Sequence, residues 1–158
     1  MPVAVVVTGY RSPQPFHHPA RGFGFLVPGR EGRQILGTIF CSSTFPEQAP
    51  PHSTLLRTLV GGARQPDLAA LADAELVALV RGELASLLGG DPDPDVVRVI
   101  RHREAIAQYT LGHLDRVATV RGRVAAFDGL HVLGQGFDGV AVNACVAEAA
   151  RLAPTVAR

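Results

Sequence analysis

The chain is organised around Leu130-His131-Val132-Leu133-Gly134-Gln135-Gly136-Phe137-Asp138-Gly139, which an alanine-rich segment, residues 140–151, follows directly. An apolar run, a glycine-rich turn and a helical segment in this order predict a strand, a turn and a helix. Gly134, Gly136 and Gly139 spell G-x-G-x-x-G, the spacing with which dinucleotide-binding proteins set a pyrophosphate against a helix N-terminus. A strand-to-helix turn that needs glycine only for close packing is an equally good interpretation.

A complete nucleotide-binding domain is not predicted around this turn. Such a domain needs a further strand with an acidic residue about 20 residues beyond the turn, and the sequence reaches Arg158 first. The element is therefore expected to contribute backbone N–H groups to a phosphate or flavin site, while the nucleotide-binding section itself is absent from this sequence.

The composition is that of a globular protein and excludes several function classes. The 158 residues carry a formal net charge of +1, with few aromatic residues and scattered basic ones, which argues against nucleic-acid binding. No apolar run approaches a membrane span, and the N-terminus lacks a signal peptide. Two distant cysteines, Cys41 and Cys145, predict neither a disulfide framework nor a metal site. We expect a cytoplasmic chain without a transmembrane segment, and leave open a peripheral membrane attachment of the full-length parent.

Hydrophobic periodicity predicts an α+β fold. Strands are expected over residues 3–10, 23–28, 34–41, 54–60, 96–101 and 130–133. Helices are expected over residues 74–88 with Asp73 as N-cap, over 111–125, and after Gly139. Residues 1–104 should form a hairpin-rich, mostly antiparallel sheet with a covering helix. Residues 105–158 should form a helix and the strand-turn-helix element.

The hairpin of the second and third strands carries candidate ligand-binding residues. Alternation along the second strand sends Phe25 to one face and Leu26 to the other. With Phe40 on the partner strand, the hairpin is predicted either to wall a pocket for a flat apolar ligand or to form an ordinary core face.

Four blocks of sequence resemble the C-terminal part of protoporphyrinogen oxidases, which are flavoproteins of the monoamine-oxidase superfamily. In chain order they are residues 22–28 (GFGFLVP), 35–46 (ILGTIFCSSTFP), 108–114 (QYTLGHL) and 139–145 (GVAVNAC). The resemblance covers nearly the whole chain but only about the last third of that family's length.

This resemblance implies an enzyme that uses FAD and molecular oxygen to convert a porphyrinogen, either protoporphyrinogen or coproporphyrinogen, to a porphyrin in haem synthesis. It implies that Gly139, Val140 and Ala141 lie over the flavin, beyond the turn that begins at Gly134. It also implies that His102, where the family often has Trp, borders the flavin.

By the same resemblance, Phe25, Leu26 and Phe40 belong to the substrate domain, where apolar side chains sandwich the tetrapyrrole. No catalytic acid, base or nucleophile is predicted, because the cofactor carries the hydride chemistry in a flavin oxidase.

Two hypotheses of different classes follow. In the first, the chain is a section of a porphyrinogen oxidase that is inactive until an N-terminal FAD-binding section is supplied. In the second, it is a non-enzymatic remnant, or a tetrapyrrole- or partner-binding module that does not bind FAD. Under either hypothesis, the first strand and the strand at 130–133 are expected to expose unpaired edges, which favour self-association or partner docking.

Overall fold

The computed structural model describes residues 1–156. The chain divides into two compact units, the first covering Met1–Ala105 and the second beginning at Ile106. The first unit contains the sheet, and the second is helical. The predicted α+β class is therefore confirmed.

The first unit is built on a five-stranded sheet in the order β2-β3-β4-β1-β5. Its strands are β1 Val3–Tyr10, β2 Gly24–Leu26, β3 Ile35–Phe40, β4 Thr54–Gly61 and β5 Val96–His102. All neighbouring strands are antiparallel, as predicted.

Strand β1 lies in the interior of the sheet. Its residues pair with β4 on one side and with β5 on the other, so that Val6 faces both Thr58 and Val99. The expectation that the first strand leaves an exposed edge is therefore wrong, because β5 returns along its far side. Strands β2 and β5 form the edges of the described sheet.

Four helices accompany the strands: α1 Cys41–Thr44, α2 Asp73–Leu88, α3 His113–Val124 and α4 Val142–Val156. Among residues 1–156, no helix has the length and apolar composition needed to cross a bilayer.

Helix α2 covers one face of the sheet. Its apolar side chains recur every three or four residues along one stripe, as in amphipathic helices, and Leu76, Val80 and Leu84 are completely buried. They share a core with inward side chains of the central strands, which include Val6, Leu56 and Val60. Each such side chain contributes roughly 1.5–3 kcal/mol through burial, so this stripe ties the helix to the sheet.

The start of α2 differs from the prediction by one position. Asp73 is the first helical residue, and Ala72 occupies the N-cap. The Glu75 carboxylate accepts a hydrogen bond of 2.9 Å from the Ala72 N–H, which is half of a capping box. Asp73 instead pairs with Arg101 of β5. The prediction of Asp73 as N-cap is wrong, because the helix begins at Asp73 itself and the Glu75 carboxylate accepts the hydrogen bond of the N-cap N–H.

The opposite face of the sheet, which we call the outer face, carries exposed apolar side chains. The strand register places Leu26, Leu59, Val5 and Ile100 in one row across it. The exposure is greatest at the two edge strands, where Leu26 is 87% and Ile100 46% exposed, whereas Val5 in the centre is only 8% exposed. Exposed apolar surface of this kind is typical of ligand or partner contact.

The second unit consists of α3, an irregular segment and α4. Residues 130–133 form no strand in the described chain, so the predicted strand-turn-helix is only a turn and a helix. A strand needs a neighbour for its backbone hydrogen bonds, and Leu130 and Leu133 remain about half exposed. Helix α4 starts at Val142.

Replacing Gly37 by alanine should destabilise the first unit. A Cβ at this position would lie 2.4 Å from the Phe25 carbonyl oxygen, and the backbone φ is +155°. We expect a loss of about 1–3 kcal/mol in unfolding free energy, measured from urea denaturation followed by circular dichroism.

Gly82→Ala is the matched control. Gly82 is exposed inside α2, and a Cβ there would meet no atom within 4 Å. Helix propensity predicts a gain of about 1 kcal/mol. A Gly37→Ala variant as stable as Gly82→Ala would contradict the close approach of β2 and β3.

Candidate functional site

The turn between Gly134 and Gly139 is held by the side chain of Tyr109. The Tyr109 hydroxyl donates to the Gln135 carbonyl oxygen at 2.7 Å and accepts from the Gly139 N–H at 2.7 Å. The ring stacks on His113, with centroids 3.9 Å apart and planes 11° from parallel. One phenol therefore fixes both the start and the end of the turn.

Gly139 is in a conformation that other residues rarely adopt. Its φ is +129°, and a Cβ would lie 2.8 Å from the Ala144 Cβ. Its carbonyl oxygen also accepts a contact of 3.7 Å from the Cys145 thiol. Both peptide groups of Gly139 are thus engaged by side chains, and a larger residue is excluded.

Helix α4 starts immediately after this turn. The Ala141 carbonyl oxygen accepts the first helical hydrogen bond, from Cys145 N at 3.1 Å. Within residues 1–156, the N–H groups of Val140, Ala141 and Val142 have no protein acceptor. Unpaired N–H groups at the positive end of a helix dipole attract anionic or carbonyl oxygens.

The structure brings four predicted cofactor residues together in the second unit: Gly134, Gly139, Val140 and Ala141. These four residues do not all offer a free backbone N–H group to a ligand. The Gly139 N–H is already used by Tyr109, and the Gly134 carbonyl oxygen closes a local turn with Phe137 N at 3.0 Å. Gly139 therefore shapes the segment, while Val140 and Ala141 carry unpaired amides at the start of α4.

His102 lies in the first unit, at the end of β5. It pairs across the sheet with Val3, and its side chain is exposed on the outer face. A groove of about 450 Å³ runs beside it, lined by Val3, Arg101 and Arg103 among other residues.

The three predicted substrate residues do not share one face of the sheet. Phe25 and Phe40 contact each other edge to face at 5.9 Å on the α2 side, where Phe40 is buried in the core. Leu26 points to the outer face and borders a largely apolar groove of about 310 Å³, which Phe23 and Ile39 also line.

The part of the chain that the structure describes contains no cluster of acidic, histidine or cysteine side chains able to hold a metal ion. Both cysteines are free, Cys41 buried and Cys145 partly exposed. Burial raises the pKa of the Cys41 thiol, which suppresses its reactive thiolate.

Comparison with known proteins identifies the family. The model of the flavin containing amine oxidoreductase family matches residues 1–157. This chain belongs to that family. Its fold also resembles reduced UDP-galactopyranose mutase, with a TM-score of 0.55 over 79% of this chain and 26% of that one, at 12% sequence identity.

The resemblance to protoporphyrinogen oxidases is confirmed. The chloroplastic protoporphyrinogen oxidase of Nicotiana tabacum is 36% identical over 86% of this chain and 26% of its own length. The Homo sapiens protoporphyrinogen oxidase is 33% identical over 98% of this chain and 33% of its own length. The crystal structure of an Exiguobacterium protein assigned as a protoporphyrinogen oxidase matches with a TM-score of 0.83 and 28% identity, over 98% of this chain and 34% of that one. The family member described here thus spans about a quarter to a third of the length of these relatives.

Sequence reasoning missed Tyr109 as a site residue. The block containing Tyr109 was recognised as part of the family resemblance, but a phenol that bonds to backbone 26 and 30 residues away leaves no periodic signal. The available signal was the position of Tyr109 in the block 108–114 that carries the family resemblance, and its contact with the turn is visible only in the fold.

The two thiols should differ sharply in reactivity. We expect one equivalent of a chromogenic disulfide reagent to react with the native chain, at Cys145, and a second equivalent to react only in denaturant, at Cys41. Peptide mapping after alkylation identifies the modified residue. Rapid labelling of Cys41 in the native chain would contradict its burial.

Proposed function

We propose that this chain is the C-terminal section of an FAD-dependent, oxygen-using porphyrinogen oxidase of haem biosynthesis, active only together with an N-terminal FAD-binding section. The observation that carries the proposal is the Tyr109-held turn, which leaves the Val140 and Ala141 amides unpaired, in a chain of a flavin-containing family. These two residues belong to the block that the family places over the flavin.

The residues present suit a flavin. The unpaired amides beside Val140 can donate to flavin carbonyl or phosphate oxygens, and the 42% exposed Val140 side chain offers an apolar surface to a flat ring. His102 remains a proposed flavin neighbour on the family resemblance alone. A bound flavin would supply the redox chemistry, accepting hydride from the substrate and being reoxidised by oxygen, while the protein would hold and orient the cofactor and the substrate.

The outer face of the sheet suits the proposed substrate class. The groove beside Leu26 is largely apolar, as a tetrapyrrole ring requires. By the strand register, Arg57 and Arg98 flank Val7 on this same face, and neither arginine has a carboxylate partner within residues 1–156. Guanidinium groups at the margin of an apolar surface favour ligands that carry carboxylates, as porphyrinogens do.

Phe25 and Phe40 have a different place in this proposal. Because they pack on the α2 side, they would support the hairpin from behind while Leu26 meets the substrate.

Relatives named protoporphyrinogen oxidase and a Bacillus subtilis relative named coproporphyrinogen III oxidase are both found, so the proposal covers either porphyrinogen.

Flavin retention tests the proposal. Two samples are passed over a gel-filtration column. One contains the purified chain and FAD, and the other also contains the separately expressed N-terminal FAD-binding section of a full-length relative. We expect flavin absorbance to coelute with protein only in the mixture, and porphyrin fluorescence to appear there when porphyrinogen is added. If the two chains bind each other but never retain flavin, the result would favour the second hypothesis, a non-enzymatic binding module. A partner or a second copy of the chain would then dock on the outer face.

Two glycine variants sharpen this test. Gly139→Ala forces a Cβ to within 2.8 Å of the Ala144 Cβ and should lower flavin retention at least ten-fold, a loss of about 1.4 kcal/mol in binding. Gly136→Ala is the matched control in the same turn, because a Cβ there meets no atom within 4 Å. Equal retention by the two variants would place the flavin away from Gly139.

A further inference from the structure

The turn from Gly134 to Gly139 has little internal support. Its one internal backbone hydrogen bond among the described residues joins Phe137 N to the Gly134 carbonyl oxygen. Asp138 is engaged from outside by Arg121. With positive φ at both Gly134 and Gly139, the local sequence leaves many conformations accessible. The observed conformation therefore depends on contacts from distant residues.

Tyr109 provides the contact that reaches both ends of the turn, and it is itself held in place. Its ring stacks on His113 in the first turn of α3. The neighbouring backbone is fixed by Arg116, which donates to the Thr110 hydroxyl at 2.8 Å and to the Leu111 carbonyl oxygen at 3.1 Å. The phenol is thus anchored on one helix and bonded to the segment that leads into the next.

We infer that Tyr109 is a positioning residue of the flavin site: its hydroxyl holds the Gly139 peptide in the orientation that directs the Val140 and Ala141 amides toward the cofactor. This inference rests on the function proposed above. The Tyr109 hydroxyl already has its donor and acceptor partners in the protein, so it acts through Gly139.

The exposure of Tyr109 sets how strongly the loss of its hydroxyl should affect the turn. Tyr109 is 44% exposed, so water replaces the lost hydrogen bonds in part, and each bond is worth about a two- to ten-fold change in equilibrium. Loss of the hydroxyl should therefore loosen the turn without unfolding α3 or α4, because phenylalanine keeps the ring on His113.

The experiment compares Tyr109→Phe with Thr119→Ala. The control also removes one hydroxyl from the second unit, since Thr119 donates to the Asp115 carbonyl oxygen within α3, but it leaves the turn untouched. In the chain alone, amide hydrogen exchange of residues 135–141 should become about two- to ten-fold faster in Tyr109→Phe and stay unchanged in Thr119→Ala.

The second readout uses the chain combined with the N-terminal section and FAD. Tyr109→Phe should weaken FAD binding by a similar factor and shift the visible absorption bands of the bound flavin, which a purely structural role would not move. Cys145→Ala removes the other side-chain contact to Gly139 and should give a smaller change of the same kind. Thr119→Ala should bind FAD like the unmodified chain.

The outcomes separate the two proposals. If the unmodified mixture retains flavin but Tyr109→Phe leaves affinity and spectrum unchanged, the positioning role is overturned while the proposed function stands. Faster exchange without any effect on flavin also overturns it, since Tyr109 would then only stabilise the turn. If the unmodified mixture retains no flavin, both proposals fail.

Discussion

The two-sided pairing of β1 is the constraint on which the first unit depends. This strand bonds to β4, some fifty residues later in the chain, and to β5, which follows α2. Without β5, one edge of β1 would present unpaired backbone groups. The pairing also sets which side chains face α2, because a shift of one residue would exchange the two faces of every strand. Core and outer face are therefore decided together.

The consequence for function is a sheet with two different faces. One face is closed by Leu76, Val80 and Leu84 of α2, and the outer face keeps Leu26, Ile100 and a groove of about 310 Å³. A protein that buried both faces equally would have no surface left for a large flat ligand. The asymmetry supports the proposal that this unit contributes substrate-binding surface to a larger oxidase.

In the second unit, weaker interactions than the buried core of the first unit hold the segment before α4. Among residues 106–156, no buried core comparable to that beneath α2 holds the segment before α4; instead a few hydrogen bonds from Tyr109 and Cys145 fix one glycine. Each Tyr109 hydrogen bond contributes about 1 kcal/mol and the weaker thiol contact less, yet together they decide where the amides of Val140 and Ala141 point. Modest interactions suffice here because they select one conformation of a short turn.

The sequence by itself determined the five strands of the sheet, the covering helix and the family, because alternation, helical periodicity and four ordered motifs are local properties of residues 1–158. It also pointed to Gly134, Gly139, Val140 and Ala141 as one segment. Only the tertiary structure decided that β1 is interior, that residues 130–133 lack a strand, that Phe40 faces the core while Leu26 faces outward, and that Tyr109 holds Gly139. Each of these depends on which distant segments meet, and hydrogen bonds between residues far apart in the chain have no signature in local sequence.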